Sequence, residues 1–228
     1  MEVEVAHLKE EMDIQENLQQ AGMDFCAGKL EGLDCVVVRC GVGKVNAAIC
    51  AQILIDKFQV THIINTGIAG SLNNDIDICD IVVSRDAVQY DMDVIAFGYD
   101  RGEIPQLGLR FFEADPTLIH AVEQSVERGE HPTGLFKGRV ATGDRFVADD
   151  AVKADIVKDF GALCCEMEGA AIAQCATLNK VPFVIIRAIS DKADGSREML
   201  YDKFEGKAAA TCAQIVKAVA AQLKAIQE

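Results

Sequence analysis

Two glutamates one residue apart, Glu166 and Glu168, interrupt an apolar strand-to-helix transition that reads CCEMEGAAIA. Burying a carboxylate costs free energy unless hydrogen-bond donors or a ligand receive it. One of the two could brace the following helix through its N–H groups, but a pair in this place favours a ligand site. Arg187, Ser190 and Asp191 come after the most hydrophobic run of the chain, residues 182–186, where a serine or aspartate could also cap a helix. An arginine, a serine and an aspartate brought together at the sheet edge form a strong local constellation for a functional site.

Two small-residue turns also follow strand candidates. The first, Gly41-Val42-Gly43-Lys44, opens a helix, and the second covers residues 65–71 (NTGIAGS). Glycine lets backbone N–H groups come close to a bound molecule. Tight packing between a strand and a loop selects the same residues, so each turn supports a site only in combination with the polar groups.

The elements that would position these groups alternate along the chain. Short β-branched runs predict strands at 33–40, 61–66, 79–89, 135–142, 161–166 and 182–189. Alanine-rich stretches predict helices at 44–58, 116–128, 150–159, 168–179 and 202–226. This alternation is typical of a single α/β domain whose sheet is buried on both faces. Ligands of open α/β sheets gather beyond the carboxyl ends of strands, which is where the glutamates and the turns lie.

The segment from Asp91 to Pro116 has no clear periodicity. It contains three glycines, two prolines and four aromatic residues, Phe97, Tyr99, Phe111 and Phe112. A long apolar loop of this kind is more often functional or interfacial than idle. We therefore expect it to contribute to a site or to a subunit interface.

Composition limits the partners and the compartment. The 228 residues include 36 acidic and 22 basic side chains, and the formal net charge of -14 would repel nucleic acid and anionic membranes. No stretch approaches the roughly 20 apolar residues of a spanning helix, and the charged N-terminus lacks the apolar core of a signal peptide. We expect a cytoplasmic protein without a nucleic acid or membrane partner.

The cysteines and histidines give no indication of a metal site. Nine cysteines are scattered without a C-x-x-C pair, mostly in apolar runs, and are interpreted as small buried hydrophobic residues. Four histidines lie far apart, with no pair at helical spacing. The sequence therefore predicts neither a zinc site nor a disulfide framework.

Six segments taken together resemble the bacterial 5′-methylthioadenosine/S-adenosylhomocysteine nucleosidases. These segments read GVGKVNAA, IINTGIAGSL, DVIAFGY, ATGDRFV, CCEMEGAAIA and VIIRAISDKAD, and the resemblance covers nearly the whole chain. It implies a three-layer α/β/α sandwich around a mixed, barrel-like central sheet, a homodimer, and hydrolysis of an N-glycosidic bond without cofactor or metal. EME-type and SD-type segments also occur across the wider purine nucleoside phosphorylase superfamily.

The resemblance implies a role for each polar residue of the site. Asp191 would donate a proton to adenine N7, which requires it to be protonated in a desolvated pocket, and Ser190 would orient it. Glu168 would hold the ribose hydroxyls while Met167 packs on the sugar face. Glu166 would support the hydrogen-bond network of the water or of the sugar without contacting the substrate itself.

The attacking water and the adenine have their own residues in the resemblance. Glu4, in MEVEV, would activate the water, and Arg187 would help to place it. Adenine would lie beside Phe146, and the backbone of Val147 would form hydrogen bonds with the edge of the base.

The remaining pocket residues are apolar or small. Ile68 stands where the family usually has serine, next to Ala69 and Gly70 in the second turn. The alkylthio group would occupy an apolar slot of Met1, Val42 and Tyr201, closed by Val94 and Phe97 of the partner subunit.

Family members usually begin with a buried β-strand ahead of the segment that resembles MEVEVAHLKEEM. That strand is absent from this sequence, so we expect this form to be less stable and less active than one extended by the strand.

Three alternative functions stay open: a phosphorylase that uses phosphate in place of water, a hydrolase for an aminofutalosine-type nucleoside, and a non-catalytic nucleoside-binding protein.

Overall fold

The computed structural model describes residues 2–128, 134–191 and 198–227. The helices are α1 (Glu2–Glu11), α2 (Lys44–Phe58), α3 (Pro116–Glu127), α4 (Asp150–Phe160), α5 (Gly169–Asn179) and α6 (Glu198–Gln227), with a short 3-10 helix at Ile95–Phe97. The strands are β1 (Asp13–Gln20), β2 (Met23–Leu30), β3 (Leu33–Val38), β4 (Ile63–Ser71), β5 (Ile81–Gln89), β6 (Phe112–Glu113), β7 (Leu135–Thr142), β8 (Ala162–Glu166) and β9 (Phe183–Asp191).

Every strand and helix predicted from the sequence is present, but the site strands run further than predicted. The strand expected to end at residue 66 continues to Ser71, and β9 includes Ser190 and Asp191. The prediction of a turn at residues 65–71 was therefore wrong, because all of these residues lie in β4. Gly67 and Gly70 pair with Arg187 and Asp191 of β9, so small residues here admit a neighbouring strand.

Five strands close into a mixed barrel. They follow the order β5-β7-β8-β4-β9, β5 pairs with β9 to complete the ring, and β6 adds at the outer edge of β5. Parallel and antiparallel pairs both occur, since β4 is parallel to β9 whereas β5 is antiparallel to it. The predicted mixed, barrel-like sheet is confirmed.

The centre of the core is strand β9. All nine of its residues are buried, and Val184, Ile185, Ile186 and Ile189 are fully inaccessible. Such a continuous apolar strand is expected where a sheet is covered on both faces. The polar end of β9 is thus fixed by one of the best-packed parts of the molecule.

Residues 2–30, for which the sequence suggested no elements, form α1 and the hairpin β1–β2. The strands β1, β2 and β3 make a separate antiparallel sheet. The turn between β1 and β2 is two residues long, with Ala21 and Gly22 both at positive φ, as tight hairpins require. Strand β1 is mostly exposed, because its sequence DIQENLQQ is almost entirely polar.

A cavity of about 560 Å³ separates this small sheet from the barrel. Its walls include residues 33–40, residues 59–66 and apolar side chains of α1 and α6 such as Val5 and Val216. Among the described residues, β3 pairs only with β2, and the first six residues of β4 pair only with β9. One edge of each strand therefore lacks a strand partner.

The segment from Asp91 to Pro116 serves two purposes. Phe112, in β6, is 1% exposed, and Phe111 packs under the guanidinium of Arg139 at 3.5 Å from the ring centroid. In contrast, Ile95 and Phe97 are 57% and 82% exposed. The most exposed aromatic and aliphatic side chains of the segment thus lie in its first part, while its end packs into the core.

Candidate active site

Strand register brings five residues to one rim of the barrel. Thr142 of β7 is opposite Glu166 of β8, and Gly70 of β4 pairs with Cys165 on one side and Asp191 on the other. A Cβ on Gly70 would lie 3.1 Å from the Asp191 carboxylate. The acidic groups that are distant in sequence thus share one edge of the sheet.

Glu166 and Arg187 form a buried ion pair at this rim. Each side chain is 3% exposed, and Arg187 Nη2 also donates to Asn65 Oδ1 at 2.6 Å. Burial alone would lower the pKa of Arg187, but Glu166 and Glu168 outweigh it and raise that pKa. Arg187 Nε is buried without a hydrogen-bond partner among the described residues, so one donor is left for a bound molecule.

Glu168 immediately precedes α5 as its N-cap residue, and its carboxylate contacts the glycine turn at residues 41–44. Its Oε1 accepts the N–H of Gly43 at 2.9 Å, and Gly43 has a φ of 93°, which only glycine adopts easily. Burial, followed by the nearby charge of Glu166, raises the pKa of Glu168. The carboxylate is therefore held by a backbone N–H group in surroundings that disfavour its charged form.

Asp191 is 4% exposed at the end of β9. The Ser190 hydroxyl donates to Asp191 Oδ1 at 2.9 Å, which fixes the orientation of the carboxyl group. Little water reaches this carboxyl in the barrel rim.

Three loops beside the rim are joined by hydrogen bonds among two aspartates and a lysine. Asp144 Oδ1 accepts the N–H of Lys44 at 2.8 Å, and Asp91 accepts both the Asp144 N–H and the Lys44 ammonium, at 3.0 and 2.6 Å. Two residues further on, Phe146 is 62% exposed while Val147 is buried. Three regions are thus held next to one another: the glycine turn at residues 41–44, the segment 91–116, called the apolar segment below, and residues 143–147.

The structure gathers most of the predicted site residues. Met167, Glu168, Glu166, Arg187, Ser190 and Asp191 lie at the rim, and Ile68, Ala69 and Gly70 lie in the adjoining part of β4. Val42 is 59% exposed in the glycine turn, and Val94 and Phe97 lie in the apolar segment. Glu4 is in α1 and Tyr201 in α6, but their side chains, like all of Met1, lie outside the described residues.

Several polar residues at the rim had not been singled out from the sequence. Thr142 bonds Glu166, Asn65 bonds Arg187, and Asp91 and Asp144 hold the glycine turn. Thr142 and Asp144 belong to the ATGDRFV segment, so a polar residue at the end of a strand was the available signal.

Neither a metal cluster nor a spanning helix is found in the part of the chain that the structure describes. No three His, Cys, Asp or Glu side chains there are arranged to hold a metal ion. None of the described helices is both long and apolar enough to cross a membrane.

Comparison with known proteins agrees with this architecture. Residues 1–221 match the family model of the phosphorylase superfamily. The 5′-methylthioadenosine/S-adenosylhomocysteine nucleosidase of Treponema pallidum is 40% identical over 92% of this chain and 86% of its own length. The chain belongs to this nucleosidase family.

Solved structures extend the comparison. The nucleosidase of Neisseria meningitidis in complex with methylthio-immucillin-A has a TM-score of 0.93 and 36% identity, covering 97% of this chain and 96% of the other. Futalosine hydrolase of Helicobacter pylori has a TM-score of 0.90 and 31% identity, covering 96% and 93%. The nucleosidase fold is therefore shared by hydrolases whose named substrates differ.

Proposed function

We propose that this chain hydrolyses 5′-methylthioadenosine and S-adenosylhomocysteine to adenine and the corresponding thioribose product. Water adds to C1′ of the ribose, and the C1′–N9 bond breaks with its electron pair moving to the base. Asp191 gives a proton to N7, and Glu4 takes the proton that the water releases. The observation that carries the proposal is the barrel rim, where Asp191 and Glu168 are brought together beside a buried arginine.

The geometry supports separate roles for the two carboxyl groups. Cleavage builds positive charge on the sugar and negative charge on the leaving base, so an acid must face the base and an anion must face the sugar. The shielded position of Asp191 and its serine partner suit the acid. Glu168, held by one N–H group, suits the ribose hydroxyls. Met167 would pack against the sugar, and Arg187, whose Nε has no hydrogen-bond partner among the described residues, would help to place the water.

Adenine would lie beside Phe146, with the Val147 backbone, Ala69 and Gly70 around its edge. The exposed Phe146 ring offers a stacking surface beside the rim. Ile68 would provide an apolar contact in place of a serine hydroxyl. The alkylthio group would lie in a slot made by Val42 with Met1 and Tyr201, the two residues whose side chains lie outside the described part.

A homodimer would complete the slot with Val94 and Phe97 of the partner. Large apolar side chains are exposed around the glycine turn and the apolar segment: Val42, Val45, Ile49, Ile95, Phe97 and Phe146. The Lys44–Asp91 and Lys44–Asp144 contacts hold these regions together, so the side chains can act as one interface. Phe97→Glu should shift sedimentation from dimer to monomer, and a monomeric wild-type protein would contradict the arrangement.

We place this reaction in the cytoplasm. The supporting observation is chemical: all nine cysteines are free thiols, five of them buried, as a reducing compartment allows.

The decisive experiment is an adenine-release assay in phosphate-free buffer. Wild-type protein should release adenine from methylthioadenosine without phosphate, and strict dependence on phosphate with 5-methylthioribose 1-phosphate as product would make it a phosphorylase. Asp191→Asn keeps the shape but cannot donate a proton, so turnover should fall by about 10²–10⁴-fold. Tight nucleoside binding without any adenine release by the wild type would indicate a binding protein.

One second candidate has a specific observation in its favour. The Helicobacter pylori futalosine hydrolase shares 31% identity over nearly the whole chain, so an aminofutalosine-type nucleoside is a candidate substrate. Comparison of kcat/KM for this nucleoside, methylthioadenosine and S-adenosylhomocysteine decides between them. A rate on the aminofutalosine-type nucleoside that exceeds both thionucleoside rates would replace the first proposal.

A further inference from the structure

The hydroxyl of Thr142 joins three elements at the barrel rim. Thr142 is fully buried at the end of β7. Its Oγ1 accepts the N–H of Ala170, in the first turn of α5, at 2.7 Å and donates to Glu166 Oε1 at the end of β8. One hydroxyl thus acts as both donor and acceptor in a place without water access.

Glu166 uses its other oxygen for the same helix. Oε2 accepts the N–H groups of Glu168 and Gly169, at 3.0 and 2.7 Å, and also the guanidinium of Arg187. With Thr142, it satisfies three consecutive N–H groups at the start of α5. These are donors that the helix itself cannot pair.

Because of this arrangement, the Glu168 side chain does not have to cap α5. Glu168 is the N-cap residue of α5, yet its side chain makes no capping hydrogen bond. The capping groups come from Thr142 and Glu166, so the Glu168 carboxylate can turn to Gly43 instead. The site keeps both a capped helix and an outward-facing carboxylate.

We propose that Thr142 is a positioning residue for ribose recognition. Its hydroxyl fixes the Glu166 carboxylate and the first turn of α5, and through them the direction of the Glu168 side chain. The inference rests on the proposed function, in which Glu168 receives the ribose hydroxyls. Thr142 itself touches no substrate.

The test compares Thr142→Val, which keeps the shape but removes the hydroxyl, with Thr142→Ser, which keeps the hydroxyl. Binding of adenine and of a non-hydrolysable methylthioadenosine analogue is measured by calorimetry on the full chain. The valine variant should bind the analogue about 10-fold more weakly, the factor expected from one lost hydrogen bond to a charged group. Adenine has no ribose, so its affinity should stay within about twofold, and the serine variant should resemble the wild type.

Three outcomes would overturn the inference: an unchanged analogue affinity in the valine variant, an equal loss for adenine and the analogue, or a serine variant as weak as the valine one. If the valine variant does not fold, Thr142→Ala is measured in its place against the same outcomes.

Glu168→Gln separates this inference from the proposed function. If that variant binds the analogue as tightly as the wild type, the ribose role of Glu168 is wrong. If it binds weakly while the valine variant does not, only the role of Thr142 fails. In the double variant, the two losses should not add, because both act through the same carboxylate.

Discussion

The barrel rim and the cavity beside β3 differ in how fully their polar groups are used. At the rim, a buried ion pair, a threonine hydroxyl and three backbone N–H groups form one bonded network. Beside β3, two strand edges lack strand partners among the described residues and border a cavity of about 560 Å³. The difference indicates that hydrogen bonds and an ion pair fix side-chain positions most fully at the rim that carries the carboxylates, and less fully beside β3.

The largest expected effect follows from breaking the rim network. Glu166→Gln keeps the side-chain volume but removes the direct ion-pair partner of the buried Arg187 and leaves Glu168 as the nearby negative charge, so the free energy of unfolding should fall by about 3–5 kcal/mol. Urea denaturation measures the loss. The matched control is Asp34→Ala, at an exposed pair with Lys29 on the β3 side, which should cost no more than about 1 kcal/mol. Similar losses for the two variants would remove the contrast between the regions.

Two isoleucines on neighbouring strands test whether apolar packing also differs between the two regions. Ile185 in β9 is fully buried, whereas Ile64 in β4 is half-buried and lines the cavity. Ile185→Ala should cost about 2–5 kcal/mol, because it opens a new void in close-packed surroundings. Ile64→Ala should cost less than half as much, since its side chain already lacks neighbours on one side. Equal urea midpoints for the two variants would show that the cavity closes in solution.

A smaller effect depends on pH and concerns Glu168. Its raised pKa means that the folded state holds the proton more tightly than the unfolded chain, so its contribution to stability is fully present below the ordinary value of 4.5. That contribution is lost as pH rises through the folded pKa. Glu168→Gln should therefore be more stable than the wild type at pH 7 to 8.

The gain should disappear below about pH 4.5, where both states of the wild type are protonated. Urea midpoints of the two proteins between pH 4 and 8 measure it. A constant difference across this range would mean that the carboxylate is not disfavoured at the rim. The same variant should lose activity, as expected when a functional site is held at the expense of stability.

Much of the fold could be predicted because its signals are local. The run PFVIIRAI predicts a buried strand, and β9 is buried along its whole length. The hairpin β1–β2 could not be predicted in this way, because the polar run DIQENLQQ lacks the alternation of a half-buried strand. The end of β4 was also misread, since glycines that admit a neighbouring strand resemble those of a turn.

For the site, the order of residues is enough to show which chemical groups are available: the glutamates, the arginine, the aspartate with its serine, and the glycine turn. Which of these groups contact one another depends on how the strands pair. Glu166 bonds Thr142 because β7 and β8 pair in one register, and it bonds Arg187 because the ring of strands closes. Such contacts depend on strand order and register across the whole barrel, which no local periodicity records.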